Sequence, residues 1–449
     1  MRGRDLTRGS IVGGIVLFAL PLLGTSVVQQ LYATVDLLFV GNVLGTSYTA
    51  ALGVGSLLIT LLVGVFIGIS VGVNVKVATL LGAGDDAGLL RALRTALWLS
   101  VACGIACVPV GEALAACFID VMELPASSAD AALSYLRFAV AAAFPIAVYN
   151  ICAGALRGLG DSSSPLIAQA VGGCMNIIAN WFALCVLGAG IQGCACATFV
   201  SNGLAAAIVA IVLIRSKAFG RAMRPWIALD SGIARWVLAF GAPVALQTVA
   251  ITLSNVAVQH QVDLFGVDSI AAFTVYLKVE LPIYFVILAI GQATTTFVAQ
   301  NHGAGDEGRC RRGIFICQTL CLALTVLLSM TMLAVAPWAF WLFDRSEPVI
   351  SIGVAFAQIT FPWYFFYAVL EVQADTMRGF GHSLGPALVV LANICLLRVA
   401  LVLAAGAQGF GMDAIAASYP ITWCTTAVCL ALLRVAFICG RRRKTADRI

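Results

Sequence analysis

An apolar run of about 20 residues or more, nearly free of charge, recurs twelve times along this chain, and each is long enough to cross a hydrocarbon core of about 30 Å as a helix. The runs fall at approximately 11–38, 48–79, 91–118, 130–156, 165–187, 191–214, 233–262, 269–300, 312–343, 349–377, 385–405 and 411–437. Short polar loops are all that is left between them, too little for a soluble domain. Only 10% of the side chains are charged and 61% are hydrophobic, whereas a soluble domain carries about 25% charged residues. Several runs exceed 25 residues, which implies tilt, a kink or a portion reaching past the headgroups.

Arg2, Arg4 and Arg8 ahead of the first run have the look of a signal peptide. That run continues past Pro21 to Val35 without a convincing small-residue cleavage site, so it reads as the first span. The net charge of +5 is spread over short loops and points to membrane topology, with no nucleic-acid partner expected. The fifteen cysteines lie mostly inside apolar runs, as Cys185, Cys194, Cys196, Cys317 and Cys321 do. They read as small packing residues, because no spacing suits a metal site and none is expected.

The two halves repeat. Leu81-Gly82-Ala83-Gly84-Asp85-Asp86 recurs as His302-Gly303-Ala304-Gly305-Asp306-Glu307, and Leu156-Arg157-Gly158-Leu159-Gly160 as Met377-Arg378-Gly379-Phe380-Gly381, both at an offset of 221. Gly45 and Gly266 share that offset, as do Ala50-Ala51 and Ala271-Ala272, and Pro21 and Pro243 lie 222 apart. Several matches in one register indicate duplication of a six-helix unit, and an even number of spans per copy makes the copies parallel. The expected fold class is an all-α polytopic membrane protein with twelve transmembrane helices in two pseudo-symmetric six-helix lobes. The N-lobe takes 1–214, a cytoplasmic connector 215–235 with Lys217, Arg221, Arg224 and Pro225, the C-lobe 236–440, and a basic tail 441–449.

Basic residues at Arg2/Arg4/Arg8, Arg91/Arg94, Arg157, the connector, Arg309/Arg311/Arg312, Arg378 and Arg441 to Lys444 fall on one side, which is therefore expected to be cytoplasmic, with both termini inside. The opposite loops carry mainly acids, Asp120, Glu123, Asp263, Asp268, Asp344 and Glu347, with Arg345 as the exception.

Charged groups inside the hydrocarbon cost about 2.5–3.5 kcal/mol on insertion scales, so those that remain there are candidates for function. They are Asp36, Glu280, Glu371 and Asp375, with Lys278 and Arg398; Glu112 and Arg137 read as interfacial. Asp36 shares a helix face with Gln29 and Tyr32, and Pro21 earlier in the same run is the expected hinge. The competing reading puts Asp36 at the outer headgroup boundary. In the fifth span Asn176 and Asn180 are one turn apart, and in the sixth so are Thr198 and Asn202. A carboxylate with such neutral oxygens suits a hard monovalent cation, and a carboxylate in a partly dry cavity also holds a proton more tightly. The alternative for the amides is hydrogen-bonding between helices.

The second half has no copy of Asp36, since the matching position is Val258, but it has Glu371 and Asp375 one turn apart, and Glu280, which Lys278 or Arg398 could neutralise as a structural ion pair. Asn150 and Gln259 complete the set of cavity candidates. The Gly-Ala-Gly-Asp segments lack a phosphate-loop context and read as tight turns in which Asp caps the next helix. With no nucleotide fold and no cofactor expected, an ion gradient must supply the energy.

Taken in order, Leu20-Pro21-Leu22, Asp36-x-x-x-Val40-Gly41, Gly82-Ala83-Gly84, Leu156-Arg157-Gly158-x-Gly160-Asp161, Asn176, Gly190-Ile191-Gln192-Gly193 with Ala195, Ala197 and Thr198, Gln300-Asn301-x-Gly303-Ala304-Gly305, and Met377-Arg378-Gly379-x-Gly381 resemble the multidrug and toxic compound extrusion (MATE) family over nearly the whole chain. The resemblance implies two lobes forming a V around a cavity, and alternating-access export of cationic or amphiphilic small molecules driven by inward H⁺ or Na⁺. It further implies an N-lobe ion site from Asp36, Asn176 and Thr198. Asn180 stands where the family commonly has a second Asp, which leaves Asp36 as the lone coupling carboxylate. Lys278-Val279-Glu280 is similar to the family's basic-x-acid pattern, and Glu371 and Asp375 lie in the span where some members carry a C-lobe acid.

A monomeric multi-pass protein of the inner membrane is the expected setting. A flippase for lipid-linked saccharides, of related architecture, is a rival reading, but its cavity would be lined by several basic groups, and here only Lys278 and Arg398 lie deep. An intramembrane lipid-processing enzyme is a rival of another class. It would need a nucleophile or metal set, and His260, His302 and His382 sit near span ends without such spacing.

Overall fold

The computed structural model describes residues 4–121, 126–220 and 229–446. Arg2, Glu123 and the connector's Arg221, Arg224 and Pro225 lie outside the described residues. Among those described, twelve helices are long and apolar enough to span a membrane: α1 (Ile11–Val43), α2 (Gly55–Gly82), α3 (Asp86–Ala115), α4 (Tyr135–Gly158), α5 (Ser163–Val186), α6 (Gly190–Ile214), α7 (Ser231–Asp263), α8 (Leu281–Gly303), α9 (Glu307–Phe343), α10 (Glu347–Gly379), α11 (Leu384–Ala407) and α12 (Met412–Phe437). The last helix continues to Ala446, so the basic segment expected as a tail is helical through that residue.

Local chemistry explains where the helices depart from uniform spans. The eighth run, expected as one span over 269–300, is broken at Glu280 into a short helix Val267–Val279 and α8. Pro282 has no N–H to continue the ladder and its ring crowds the carbonyl four residues back; the chain answers with a tight Ile283 N–H to Glu280 carbonyl bond of 3.0 Å. In α10, Pro362 sits in a 3₁₀ turn, Phe361–Trp363, that interrupts the span expected at 349–377. The fifth and eleventh spans each contain a wide π-helical turn, Trp181–Val186 and Leu391–Leu397.

The internal repeat is visible in the backbone. Glycines with positive φ pair across the halves as Gly45 and Gly266, Gly84 and Gly305, Gly160 and Gly381, and Gly188 and Gly409, each 221 residues apart. The two halves thus turn their corners the same way. As expected of the Gly-Ala-Gly-Asp segments, Asp306 caps α9 by accepting from Arg309 N–H at 2.7 Å, and Asp85 accepts from Gly88 N–H at 2.8 Å. Arg157 and Arg378, by contrast, are not loop residues. Both lie in the last turn of a helix.

The chain forms two compact units: Met1–Gly9, Leu17–Thr248 and Ala299–Gly305 in one, and Ser10–Val16, Val249–Val298 and Asp306–Ile449 in the other. Helices in lipid gain little from apolar burial alone and associate through close packing and hydrogen bonds. In the first unit this is clearest where the ends of α2 and α8 meet. A Cβ added to Gly82 would lie 1.9 Å from the Gln300 carbonyl oxygen, and one added to Gly303 would lie 2.1 Å from that of Thr79. The segment ahead of α1 is tied in at the same place. Arg4 N–H donates to Gly160 O (2.9 Å), Leu6 N–H to Gln300 Oε1 (3.0 Å) and Asn301 Nδ2 to Leu6 O (3.2 Å), while Gln300 Nε2 donates to Gly158 O (3.0 Å). Leu6 is buried there. The second unit is dominated by aromatic packing around Tyr276, Phe356, Phe361, Tyr364 and Trp423.

Candidate functional site

In the first unit, two helices deliver polar side chains to a carboxylate carried by a third. Asn176 Nδ2 donates to Asp36 Oδ1 at 3.1 Å, Asn180 Nδ2 to the same oxygen at 2.6 Å, and Thr198 Oγ1 to Oδ2 at 3.3 Å. Asp36 comes from α1, the two amides from successive turns of α5 and the hydroxyl from α6. Thr198 also lies 3.1 Å from the Cys194 carbonyl of its own helix, and its single proton serves one acceptor at a time. The amide oxygens of Asn176 and Asn180 are buried with no hydrogen-bond partner among the described residues. The site is therefore rich in oxygen: a carboxylate, a hydroxyl and two orphaned carbonyl-type oxygens. Buried acceptors left unsatisfied are costly, and a hard monovalent cation is a partner of the right kind for all of them.

Local sequence explains the arrangement. Asn180 immediately precedes the π turn of α5, a feature that re-aims side chains and recurs at functional sites. Tyr32 is buried against α5 because Gly172 has no side chain; a Cβ there would lie 2.2 Å from the Tyr32 hydroxyl. Gln29, the third member of the expected stripe, is exposed. Pro21 lies within a continuous helical α1, where its carbonyl accepts from Thr25 Oγ1 at 2.9 Å.

The second unit contains two separate charged clusters. Glu280, at the helix break, accepts a very short hydrogen bond from the Tyr364 hydroxyl, which comes from just after the 3₁₀ turn of α10. Tyr276 donates to Thr360 Oγ1 at 3.0 Å beside it, so the two helix breaks are cross-linked by their own side chains. The expected neutralisation of Glu280 by Lys278 or Arg398 is not what the geometry gives. Lys278 is exposed, and among the described residues neither base comes within ion-pair distance of Glu280.

Glu371 and Asp375 do have a basic partner, and it is one the sequence placed in a loop. Arg378 Nη1 lies 2.7 Å from Asp375 Oδ1 and 3.8 Å from Glu371 Oε1, with all three side chains nearly sealed from solvent. Spacing of i, i+4 and i+7 puts them on one face of α10; reading Arg378 as topogenic hid this. Tyr364 was missed for a different reason: a buried phenol has no signature in hydropathy.

The remaining candidates make local contacts. Asn150 Nδ2 donates to the Ile146 carbonyl (2.9 Å) and Asn202 Nδ2 to the Thr198 carbonyl (2.9 Å), each back onto its own helix, and Gln259 Nε2 donates to Asp263 Oδ1 (2.7 Å).

Twelve apolar helices with buried ionisable clusters at membrane depth define a polytopic membrane transport protein. Comparison with known proteins makes this particular. The family profile described as MatE matches residues 21–182 and 243–403, one match in each half of the repeat, and the chain belongs to the MatE family of multidrug efflux transporters. It is 25% identical over 393 residues to Probable multidrug resistance protein YoeA of Bacillus subtilis, covering 85% of this chain and 84% of that protein. It is 22% identical over 404 residues to Probable multidrug resistance protein NorM of Thermotoga maritima, covering 86% and 83%. A crystal structure of MATE in the straight conformation superposes with a TM-score of 0.88 at 20% identity, covering 99% of each chain, which establishes the shared fold. Transport of small molecules across a membrane, and not catalysis, is the family's activity.

Proposed function

We propose that this chain is a secondary antiporter that exports small amphiphilic or cationic molecules in exchange for H⁺ or Na⁺ entering through the Asp36 site. The observation that carries the proposal is the convergence of Asn176, Asn180 and Thr198 on one carboxylate, with two amide oxygens left without partners among the described residues. That donor set suits reversible occupation by a monovalent cation. Occupation changes how α1 is held against α5 and α6, and Pro21 supplies the point at which α1 can bend. Ion and substrate act on the same equilibrium, each shifting it by its differential affinity for the two states. In this reading the two six-helix lobes, 1–214 and 236–440, are the moving bodies, the protein works as a monomer in the inner membrane, and both termini are cytoplasmic.

The test is dye export in everted vesicles, with ΔpH and ΔNa⁺ imposed separately. Export of a cationic dye driven by one of the two gradients is the expected result. Equal export with both gradients collapsed refutes the antiport reading.

A further inference from the structure

Two amides in the second half have no counterpart in the first. Gln300 and Asn301 precede Gly303-Ala304-Gly305-Asp306, whereas 221 residues earlier Thr79 and Leu80 precede Gly82-Ala83-Gly84-Asp85. Both turns place a glycine at positive φ, 68° at Gly84 and 75° at Gly305, and Thr79 bonds back to the Val75 carbonyl of its own helix at 2.8 Å. The turn therefore forms without amides. Gln300 and Asn301, both 0% exposed, hold a residue from far along the chain instead. Gln300 Oε1 accepts from Leu6 N–H at 3.0 Å, Asn301 Nδ2 donates to Leu6 O at 3.2 Å, and Gln300 Nε2 reaches on to Gly158 O at 3.0 Å. Both backbone polar groups of Leu6 are thus met by side chains, and its own side chain is among the most completely buried in the molecule.

A second docking point repeats the asymmetry. Gly160 and Gly381 form the same turn in the two halves, at φ 82° and 85°. A Cβ added to Gly160 would lie 2.0 Å from the Arg4 carbonyl oxygen, whereas one added to Gly381 would meet nothing within 4 Å. Only the first half keeps its turn clear for a segment to lie on, and Arg4 N–H donates there to Gly160 O at 2.9 Å. The segment also carries its own shape. Thr7 N–H donates to Asp5 Oδ1 at 2.9 Å, Arg8 Nε lies 3.6 Å from Asp5 Oδ2, and Gly9, at φ 74°, joins it to α1. A segment braced internally and tethered through a glycine can leave its seat as one piece. All of these contacts lie within the first unit, although Gln300 and Asn301 come from the C-lobe part of the sequence.

We propose that residues 4–8 are a latch that fastens the end of α4, in the N-lobe, to the end of α8, in the C-lobe, and lets go each time this end of the protein opens. Leu6 is the bolt, Gln300 and Asn301 are its catch, and the bare face of the Gly160 turn is the seat for Arg4. The latch biases the transporter toward the state closed at this end, because its contacts exist only there, and an equilibrium shifts by the difference in interaction between its two states. This rests on the alternating-access part of the reading above.

The test is hydrogen–deuterium exchange, read by mass spectrometry on the full-length protein in lipid nanodiscs with no gradient and no substrate. Leu6→Ala lies outside every spanning helix and removes most of a buried side chain, so it is expected to speed exchange at residues 4–8 by about tenfold or more. If the latch and the opening are one event, exchange at the ends of α2 and α8, 79–83 and 300–304, rises with it by a similar factor, while α5 and α10 are unchanged. Faster exchange at 4–8 alone, or acceleration spread evenly over all twelve spans, overturns the proposal. A second pair of variants checks the seat. Gly160→Ala and Gly381→Ala both force a side chain into left-handed backbone, but only the first meets the latch, so only Gly160→Ala is expected to speed exchange at 4–8 and 300–304. Equal effects of the two overturn the proposal. Linked opening without gradient-driven dye export leaves the latch standing and refutes the antiport reading; export with α2 and α8 ends indifferent to Leu6→Ala does the reverse.

Discussion

Replacing Asp36 with Asn tests the proposed coupling site with little change of shape. The carboxylate accepts from Asn180 at 2.6 Å, Asn176 at 3.1 Å and Thr198 at 3.3 Å. An amide keeps one acceptor and turns an N–H₂ toward groups that are themselves donors. Hydrogen bonds to a charged group contribute about 1.5–3 kcal/mol and neutral ones about 0.5–1.5, so the variant loses roughly 1–3 kcal/mol locally, offset by no longer burying a charge. The fold should survive. The larger loss falls on the ion. A unit positive charge about 4 Å from the carboxylate in surroundings of effective dielectric about 20 is stabilised by about 4 kcal/mol, which corresponds to roughly a thousandfold in ion affinity. Gradient-driven dye export by Asp36→Asn in proteoliposomes is therefore expected to fall by at least about a hundredfold, with thermal stability in detergent close to wild type. If the variant is as stable as wild type and keeps more than about a third of its export, the reasoning that ties coupling to this carboxylate is wrong.

Two further outcomes follow from other parts of the molecule. Arg378→Ala strands Asp375 and Glu371 as adjacent buried acids and should cost about 3–5 kcal/mol, seen as a lowered melting temperature in detergent; simultaneous replacement of all three residues by apolar ones of similar volume should restore most of it. Gly303→Leu puts a side chain where the Thr79 carbonyl lies 2.1 Å from the first added carbon, so loss of the monodisperse folded protein on size-exclusion chromatography is expected, and a wild-type elution profile would show that the ends of α2 and α8 do not meet so closely.

Much of the architecture was legible because the signals are local. Hydropathy marks a span within about 20 residues, and the glycines at 45, 84 and 160 announce the duplication through their partners 221 residues on. The Asp36 set was legible too, because Asn176/Asn180 and Thr198 lie at one-turn spacing or at positions matched by family resemblance, and the structure brings all of them to one carboxylate. The second half was harder. Glu280 was read against Lys278 or Arg398, yet the hydroxyl that donates to it is that of Tyr364, 84 residues along the chain. Arg378 carried the appearance of a loop charge next to Gly379, and only its burial in α10 reveals it as the counter-ion of Glu371 and Asp375.

By itself, then, the amino-acid order determined that this chain lives in lipid as twelve helices, that it is built twice, and which intramembrane acid stands among amides. These depend on hydrophobicity and spacing along single helices, which any stretch of sequence carries within itself. Tertiary structure alone decided how charges are shared out: Glu280 to a phenol at a second helix break, Asp375 and Glu371 to Arg378, and Arg398 to a threonine and a ring. Electrostatic partnership is set by which helices become neighbours and how proline and π turns rotate them, and neither is encoded at any fixed distance along the chain.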